Sequence, residues 1–246
     1  MRLKEEKKMH ITIVKSKEEA GKEAFKYVKE AIEKKEDSVL GLATGSTPEV
    51  LYEEMINSDV SFTEATAVNL DEYVGLDSDH PQSYHYFMED QLFKHKPFKQ
   101  TFVPDGTLGE EEAIKQYEDI LEKHPIDVQI LGIGVNGHIG FNEPGTSFDS
   151  TTHKVQLTEE TINSNKRYFD SIDDVPKTAY TMGIHSIMKA DKIILMAFGK
   201  EKAQAIVQSL EGEVTEDVPA SILQKHPDLV VILDEEAASE LSSAKQ

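Results

Sequence analysis

Short runs of branched apolar residues alternate with longer amphipathic stretches along almost the whole chain of 246 residues. The short runs have the length and composition of strands buried on both faces. The longer stretches repeat their apolar residues at the spacing of a helix. This alternation is typical of a parallel sheet with helices on both faces. The sequence therefore predicts one α/β domain built on a single doubly wound, mostly parallel, Rossmann-like sheet.

The predicted elements follow this alternation from end to end. Predicted strands cover residues 10–14, 39–43, 66–70, 101–103, 126–131, 192–198 and 229–233. Predicted helices cover residues 16–35, 48–56, 80–93, 109–123, 159–169, 200–210 and 219–224, with a closing helix from Glu235. Residues 1–9 form a predicted N-terminal tail. The polar stretch 146–177 is long for a plain connection, so we expect it to form a mobile lid.

The composition excludes several classes of partner. The chain carries 46 acidic and 26 basic residues, and its formal net charge of −20 repels nucleic acids and anionic membranes. No apolar run approaches the ~20 residues needed to cross a bilayer, and the N-terminal residues lack the apolar stretch of a signal peptide. Cysteine is absent, which excludes disulfides and thiolate metal ligands and fits a reducing cytosol. We therefore expect a cytoplasmic protein with a small-molecule partner.

A glycine-rich stretch, LGIGVNGHIGFNEPG at residues 131–145, follows the fifth predicted strand. It contains the glycine spacing of a dinucleotide site, but Pro144 and Gly145 break the helix that would hold a pyrophosphate, so we predict no nucleotide cofactor. The turn instead presents His138 and Glu143 at a strand end, where α/β proteins bind ligands. A carboxylate neighbour would fix the tautomer of an imidazole and raise its basicity. A lone histidine is more often structural, but these surroundings favour a role in proton transfer.

Asp71 and Glu72 follow the third predicted strand. A carboxylate at that position can act as a general base, although a solvated or helix-capping acid is the more common interpretation in so acidic a chain. Asp71 is favoured because its strand should end close to the glycine-rich stretch. A metal held by His138 with acidic residues is a weak alternative, since no recognised ligand spacing is present. We therefore predict no metal.

A second turn, at residues 44–48, joins the second strand to a helix that should begin at Pro48 after a Thr47 cap. Hydroxyls, free backbone N–H groups and the helix dipole converge there, which suits an anion, although an ordinary capped turn explains these residues equally well. The lysine of a P-loop is missing, so a single phosphoryl group is favoured over a nucleotide. Cations from elsewhere in the chain could complete such a site, although surface cations are usually only solvated. The candidate phosphate-binding residues are Thr44, Gly45, Ser46, Thr47, Arg167 and Lys202.

Three motifs occur in order along the chain: LATGSTP at 42–48, NLDEYVG at 69–75 with HPQSY at 80–84, and GIGVNGHIGFNEPG at 132–145. Together they resemble the glucosamine-6-phosphate deaminase (glucosamine/galactosamine-6-phosphate isomerase) family. The likeness runs in order from about residue 10 to about residue 240. It implies an isomerisation without metal or cofactor, in which glucosamine 6-phosphate and water give fructose 6-phosphate and ammonia in amino-sugar catabolism.

The resemblance also implies roles for the matching residues. Asp71 would move the proton from C2 to C1 of the sugar. His138 would shuttle the proton that opens the pyranose ring, with Glu143 and Asn136 orienting and tuning it. The six candidate phosphate-binding residues would hold the phosphate. Some members of the family carry an acid at the position of Asn136, so we expect a less elevated pKa for His138 in this chain.

The resemblance has a second departure. Larger regulated members of the family have a longer C-terminal tail and a basic allosteric site at subunit contacts. This chain has His153 and Val155 at about the corresponding positions. We therefore expect no allosteric activation and no hexamer, but a monomer or small homo-oligomer.

Two alternative functions stay open at this point. A 6-phosphogluconolactonase-like hydrolase would share the fold and the handling of phosphate, but its relatives usually show an Asp-Glu-Arg type motif where this chain has Asp71-Glu72-Tyr73. A non-catalytic sugar-phosphate sensor would resemble the effector domains of some bacterial repressors. Those carry an upstream DNA-binding segment, whereas only about ten residues precede the first predicted strand here, and the net charge opposes DNA binding.

Overall fold

A computed structural model describes residues 8–242, so most of the predicted tail 1–9 lies outside the described residues. The strands are β1 (Lys8–Val14), β2 (Val39–Leu42), β3 (Phe62–Asn69), β4 (Asp71–Tyr73), β5 (Phe98–Phe102), β6 (Val128–Leu131), β7 (His153–Gln156), β8 (Thr178–Thr181), β9 (Lys192–Ala197) and β10 (Asp228–Asp234). Seven of them form one sheet in the order β1-β10-β9-β6-β2-β3-β5, and every neighbouring pair is parallel. The predicted parallel sheet is confirmed.

Helices cover both faces of this sheet. The α-helices are α1 (Lys17–Lys34), α2 (Ser46–Asn57), α3 (Tyr84–Met88), α4 (Glu110–Lys123), α5 (Glu159–Asn165), α6 (Ile184–Met188) and α7 (Ala203–Leu210). One π-helical turn, Glu89–Phe93, extends α3, and short 3-10 turns cover Lys166–Tyr168, Ile172–Asp174, Lys200–Lys202 and Pro219–Lys225. Apolar residues of α1, α2 and α3 form the core on one face, and those of α4, α6 and α7 form the core on the other. None of the helices in residues 8–242 has both the length and the apolar character that crossing a bilayer requires.

The strand order places a switch point between β2 and β6. From β2 the chain moves outward to β3 and β5, then returns to the other side of β2 as β6 before continuing to β9 and β10. Loops that leave β2 and β6 at their carboxyl ends therefore diverge in opposite directions. The crevice between such loops is where open α/β sheets bind ligands.

A second, three-stranded antiparallel sheet in the order β4-β8-β7 was not predicted. Its strands are only three or four residues long and gain their stability from each other and from a small core around Tyr73, Phe141 and Leu157. In this sheet Asp71 lies opposite Thr181. The little sheet therefore fixes the position of Asp71 just beyond the end of β3.

Some predicted helices differ from the structure, and α3 begins at Tyr84 and not at residue 80. Helix α2 begins at Ser46 and not at Pro48, because Gly45, with φ of 95°, is the N-cap and no side chain caps the helix. The predicted closing helix from Glu235 is replaced by turns over residues 235–240. There the Asp234 carboxylate accepts the N–H of Ala237 at 2.8 Å and that of Gly199 at 3.1 Å, which ties these turns to the loop after β9.

Candidate active site

A cavity of about 210 Å³ lies at the switch point between β2 and β6. We call it the site cavity. Its lining residues are Ala43, Thr44, Thr47, Leu70, Asp71, Tyr84, Gly132, Ile133, Gly134, His138, Gly140 and Phe141. These residues come from the loops after β2, β3 and β6, together with the start of α3. The expected proximity of Asp71 to the glycine-rich stretch is confirmed, and the loop after β2 lines the same cavity.

Asn136 links His138 to Glu143 within the glycine-rich stretch. The Nδ2 group of Asn136 donates to Glu143 Oε2 at 2.8 Å, and Asn136 Oδ1 lies 2.7 Å from His138 Nδ1. A carboxylate can only accept, so the amide must present its nitrogen to Glu143 and its oxygen to the imidazole. His138 Nδ1 then carries the proton and donates a hydrogen bond to Asn136, which leaves Nε2 as the basic nitrogen. This chain of hydrogen bonds fixes both the orientation and the tautomer of the ring.

The protonation of His138 is set by opposing effects. Burial lowers the pKa of His138 below its ordinary value, and the nearby Lys202 ammonium acts in the same direction. The Glu143 carboxylate, 3.6 Å from Nδ1, opposes both by raising this pKa. The imidazole is therefore neutral at pH 7 and ready to accept a proton.

Glycine is required at the points where the turn folds back on itself. A Cβ at Gly134 would lie 2.1 Å from the ring of His138, so only a residue without a side chain leaves room for the imidazole. Gly137 has φ of 85°, which disfavours any residue with a side chain. The glycines of this stretch therefore leave room for the imidazole and allow the turn to fold back.

Asp71 is buried, with 7% of its surface exposed, and lines the same cavity as His138. The glycine-rich stretch comes so close that a Cβ at Gly140 would lie 3.7 Å from Asp71 Oδ2. Burial raises the pKa of Asp71 to about 8, and the charge of Glu72 adds to the effect. A carboxylate with this proton affinity suits a general base, because it holds the proton that it removes.

Glu72 lies next to Asp71 but has a different environment. Its carboxylate accepts the backbone N–H groups of Tyr73, Tyr84 and His85 at 2.8–2.9 Å. Burial raises the pKa of Glu72 to about 7, although these hydrogen bonds lower it. The helix-capping interpretation therefore applies to Glu72 and not to Asp71.

The candidate phosphate-binding residues other than Lys202 border two neighbouring cavities. Thr44 and Thr47 line the site cavity. Gly45, Ser46 and Arg167 instead border a neighbouring cavity of about 500 Å³, which shares Thr44 and Tyr84 with the site cavity. We call this neighbour the outer cavity.

The two candidate cations are held differently. Arg167 is exposed, and its guanidinium carbon stacks 4.7 Å from the ring centre of Tyr168. Lys202 is partly buried, its Nζ donates to the carbonyl of Ile133 at 2.7 Å, and burial lowers its pKa. Lys202 thus supports the glycine-rich stretch from the side. The structure does not bring these two cations into one cavity.

Sequence reasoning missed Tyr84, Ile133 and Phe141 as residues of the cavity wall. Tyr84 belongs to a quoted motif, but it follows Ser83, whose hydroxyl accepts the N–H of Tyr86 at 3.0 Å as a helix cap. The motif therefore resembles an ordinary helix start. An aromatic residue with a hydroxyl at the first position of a helix that follows a strand-end loop is the signal that could have identified it. In residues 8–242 there is no group of three His, Cys, Asp or Glu side chains placed to hold a metal.

Comparison with known protein families shows which family the chain belongs to. Residues 14–231 match the family described as glucosamine-6-phosphate isomerases/6-phosphogluconolactonase. The chain belongs to this family. One relative, named glucosamine-6-phosphate deaminase, comes from Enterococcus faecalis and is 60% identical over 234 residues, which cover 95% of this chain and 100% of the relative.

Solved structures agree with this assignment. A structure of a monomeric glucosamine-6-phosphate deaminase has a TM-score of 0.90 and 46% identity, and the match covers 94% of this chain and 100% of that chain. A 6-phosphogluconolactonase from Trypanosoma cruzi has a TM-score of 0.79 at 19% identity, covering 96% of this chain and 98% of that chain. The second likeness shows a shared fold alone. Membership of this family fits the doubly wound parallel sheet.

Proposed function

We propose that this chain converts glucosamine 6-phosphate and water into fructose 6-phosphate and ammonia. The proposal rests on one cavity that both Asp71 and His138 line. Asp71 is a buried carboxylate whose pKa is raised, and the tautomer of His138 is fixed by its hydrogen bond to Asn136. The reaction needs two separate acid–base groups, because the C2 proton becomes acidic only after the sugar ring has opened to an aldehyde. The E. faecalis relative named for this reaction supports the assignment.

His138 opens the ring in the first step. Its Nε2 takes the proton of the C1 hydroxyl while the C1–O5 bond breaks, and the same proton is delivered to O5. The Nδ1 proton stays hydrogen-bonded to Asn136 Oδ1, and the Glu143 carboxylate stabilises the transient imidazolium. The low pKa of the buried ring allows it to release the proton again.

Asp71 then moves a proton along the open chain. The carboxylate removes the proton from C2 while the C2 ammonium group gives a proton to O1, which leaves an enolamine with a hydroxyl group on C1. The resulting carboxylic acid then returns its proton to C1. An iminium then remains at C2, and water adds there as ammonia leaves. A single buried group can carry out both transfers because C1 and C2 are adjacent and the cavity partly excludes solvent.

The phosphate is bound some distance from the reacting carbons. Thr44, Gly45, Ser46 and Thr47 offer hydroxyls and backbone N–H groups at the start of α2, where the helix dipole favours an anion. Arg167, which borders the outer cavity, and Lys202, which is bound to the Ile133 carbonyl, would add positive charge. Arg167 lies on the stretch 146–177, so closure of this stretch as a lid would bring its guanidinium from Tyr168 to the phosphate. Binding energy from the phosphate then serves to position C1 and C2.

We infer a single α/β domain that works as a monomer or small homo-oligomer on a small-molecule substrate. The solved deaminase described as monomeric supports the smaller assembly. Size-exclusion chromatography with light scattering tests it, and a stable hexamer would contradict the inference.

The activity is tested by incubating the purified chain with glucosamine 6-phosphate and measuring ammonia and fructose 6-phosphate together. We expect equal amounts of both products and much slower turnover of glucosamine, which lacks the phosphate. Hydrolysis of 6-phosphogluconolactone without release of ammonia would favour the lactonase function instead. Binding of glucosamine 6-phosphate without its consumption would favour the sensor.

A further inference from the structure

One buried carboxylate connects the strand of Asp71 to the helix of Tyr84. Glu72 is 2% exposed, and its Oε1 accepts the N–H groups of Tyr73 at 2.8 Å and Tyr84 at 2.9 Å. Its Oε2 accepts the N–H of His85 at 2.9 Å. Tyr84 and His85 are the first two residues of α3, and such N–H groups have no partner within a helix. Glu72 therefore sets where α3 begins.

The start of α3 decides where the side chain of Tyr84 lies. Tyr84 lines the site cavity together with Asp71 and His138, and it also borders the outer cavity with Thr44. Its ring packs 4.7 Å from the ring of Tyr73 and is stacked 6.1 Å from that of Phe141. Burial, followed by the nearby Tyr73 and Asp71, raises the pKa of the Tyr84 hydroxyl well above its ordinary value. The hydroxyl therefore stays protonated, and it is hydrogen-bonded to the side chains of Tyr73 and Thr44 where the two cavities meet.

We propose that Glu72 is a positioning residue for the proposed reaction, which holds the hydroxyl of Tyr84 at the cavity wall beside Asp71. This inference rests on the proposed function of the site cavity. Asp71 and Glu72 are adjacent on β4, yet Asp71 lines the site cavity, and Glu72 borders a separate cavity of about 640 Å³. The short strand β4 thus carries the proposed base, Asp71, on one side and Glu72, which holds the helix of Tyr84, on the other. Glu72 acts on the substrate only through Tyr84.

A role in fold stability alone is the alternative to a positioning role. A helix cap contributes about 1 kcal/mol, so loss of Glu72 could simply weaken α3. The two roles differ in their kinetic effect. If Glu72 positions Tyr84, the effect of changing Glu72 on kcat depends on the presence of the Tyr84 hydroxyl. If Glu72 only stabilises the fold, the effect on kcat is the same with and without that hydroxyl.

A double-mutant cycle with Glu72→Gln and Tyr84→Phe separates the roles. Glutamine keeps one acceptor oxygen but turns an NH₂ group toward the N–H of His85, which displaces the start of α3 without a change of size. We expect Glu72→Gln to lower kcat about tenfold in the wild type, with KM for glucosamine 6-phosphate changed less than about twofold. In the Tyr84→Phe background the same change should lower kcat less than about twofold. Equal losses in both backgrounds would overturn the proposal.

Ser83→Ala is the matched control, because Ser83 caps the same helix through a different donor, the N–H of Tyr86 at 3.0 Å. We expect it to reduce the thermal stability about as much as Glu72→Gln but to leave kcat within about twofold of the wild type. A loss of kcat in Ser83→Ala as large as that in Glu72→Gln would show that helix stability alone is responsible, and would contradict the positioning role.

Hydrogen exchange on the wild type covers the case in which Glu72→Gln does not fold. The backbone amides of Tyr84 and His85 should exchange as slowly as those of the neighbouring strands, because the buried carboxylate holds them. Exchange as fast as in an exposed turn would contradict the proposal. This measurement does not involve the substrate, so it tests the role of Glu72 separately from the proposed function. A failure of the proposed function would instead appear as absence of ammonia release by the wild type.

Discussion

The imidazole of His138 lies directly on the backbone of Gly134, so that a Cβ added there would be 2.1 Å from Nδ1. A contact this short with a rigid ring cannot form, and the side chain that would have to move is the proposed ring-opening group. Gly134 is therefore as important for the proposed chemistry as a residue that carries a functional group.

The change Gly134→Ala should displace the imidazole and lower kcat by about 100-fold or more, because misplacement of a catalytic group by about 1 Å can have this effect. The free energy of unfolding should fall by only about 1–3 kcal/mol, as for other overpacked sites. The control is Gly109→Ala, since Gly109 has no atom within 4 Å of the added Cβ. Steady-state kinetics measure kcat, and urea denaturation measures the free energy of unfolding, for both variants. An active Gly134→Ala enzyme would show that His138 does not need this position.

The change Asn136→Asp should raise the pKa of His138. A carboxylate in place of the amide oxygen, 2.7 Å from Nδ1, stabilises the imidazolium and opposes the lowering caused by burial. NMR titration of the His138 ring should show a higher pKa than in the wild type. The part of the acid limb of the pH–rate profile that His138 causes should move to higher pH. Glu143→Gln should shift the titration in the opposite direction. An unchanged profile in Asn136→Asp would refute this account of tuning.

The stability of the chain should depend on pH through Asp71. Its pKa is about 8 in the folded chain, against roughly 3.9 in an unfolded one, so the folded chain retains the proton more strongly. The contribution of Asp71 to stability is therefore fully present below about pH 4 and is lost as the pH rises through about 8. The amide that replaces the carboxyl group in Asp71→Asn cannot ionise. We expect this variant to exceed the wild type in stability by roughly 2–5 kcal/mol at pH 8 and by little at pH 4.

Chemical denaturation of both proteins at the two pH values measures this difference. A stability difference that is the same at pH 4 and pH 8 would mean that Asp71 titrates normally. It would remove the physical basis for its role as a base of high proton affinity.

The change Lys202→Gln should weaken phosphate binding. Loss of a charged hydrogen bond to an anion costs about 1.5–3 kcal/mol, so KM for glucosamine 6-phosphate should rise by about tenfold or more. A smaller loss of kcat should follow from loss of the contact with the Ile133 carbonyl. The matched control is Lys200→Gln, because Lys200 lies in the same 3-10 turn and is exposed. Equal KM values for the two variants would contradict the assignment of Lys202.

The main sheet and the glycine-rich part of the site were predictable from sequence because both depend on local patterns. Runs such as residues 229–233 in β10 are branched and apolar, and a strand buried on both faces requires that composition. The relation between His138, Asn136 and Glu143 is also local, since all three lie within one turn. Sequence spacing is sufficient evidence that His138 and Glu143 lie close together, whereas the role of Asn136 was implied by the family resemblance.

The remaining features depend on contacts between distant parts of the chain. The pairing of Asp71 with Thr181 involves strands too short and too polar to be distinguished from loops. Likewise, the entry of Tyr84 into the cavity depends on the side chain of Glu72, and no periodic pattern contains that information. The position of Arg167, stacked on Tyr168 outside the site cavity, also follows from the path of the stretch 146–177. That this stretch moves as a lid stays a prediction.

The most direct test of the central claim is the turnover of glucosamine 6-phosphate by Asp71→Asn. Asparagine has nearly the same shape but cannot accept the C2 proton. The account therefore predicts that kcat falls by roughly 10²–10⁴-fold while the affinity for the substrate, measured by calorimetry, changes by only a few-fold. Turnover of Asp71→Asn within about tenfold of the wild type would contradict the account, because the proton at C2 would then be removed by another group.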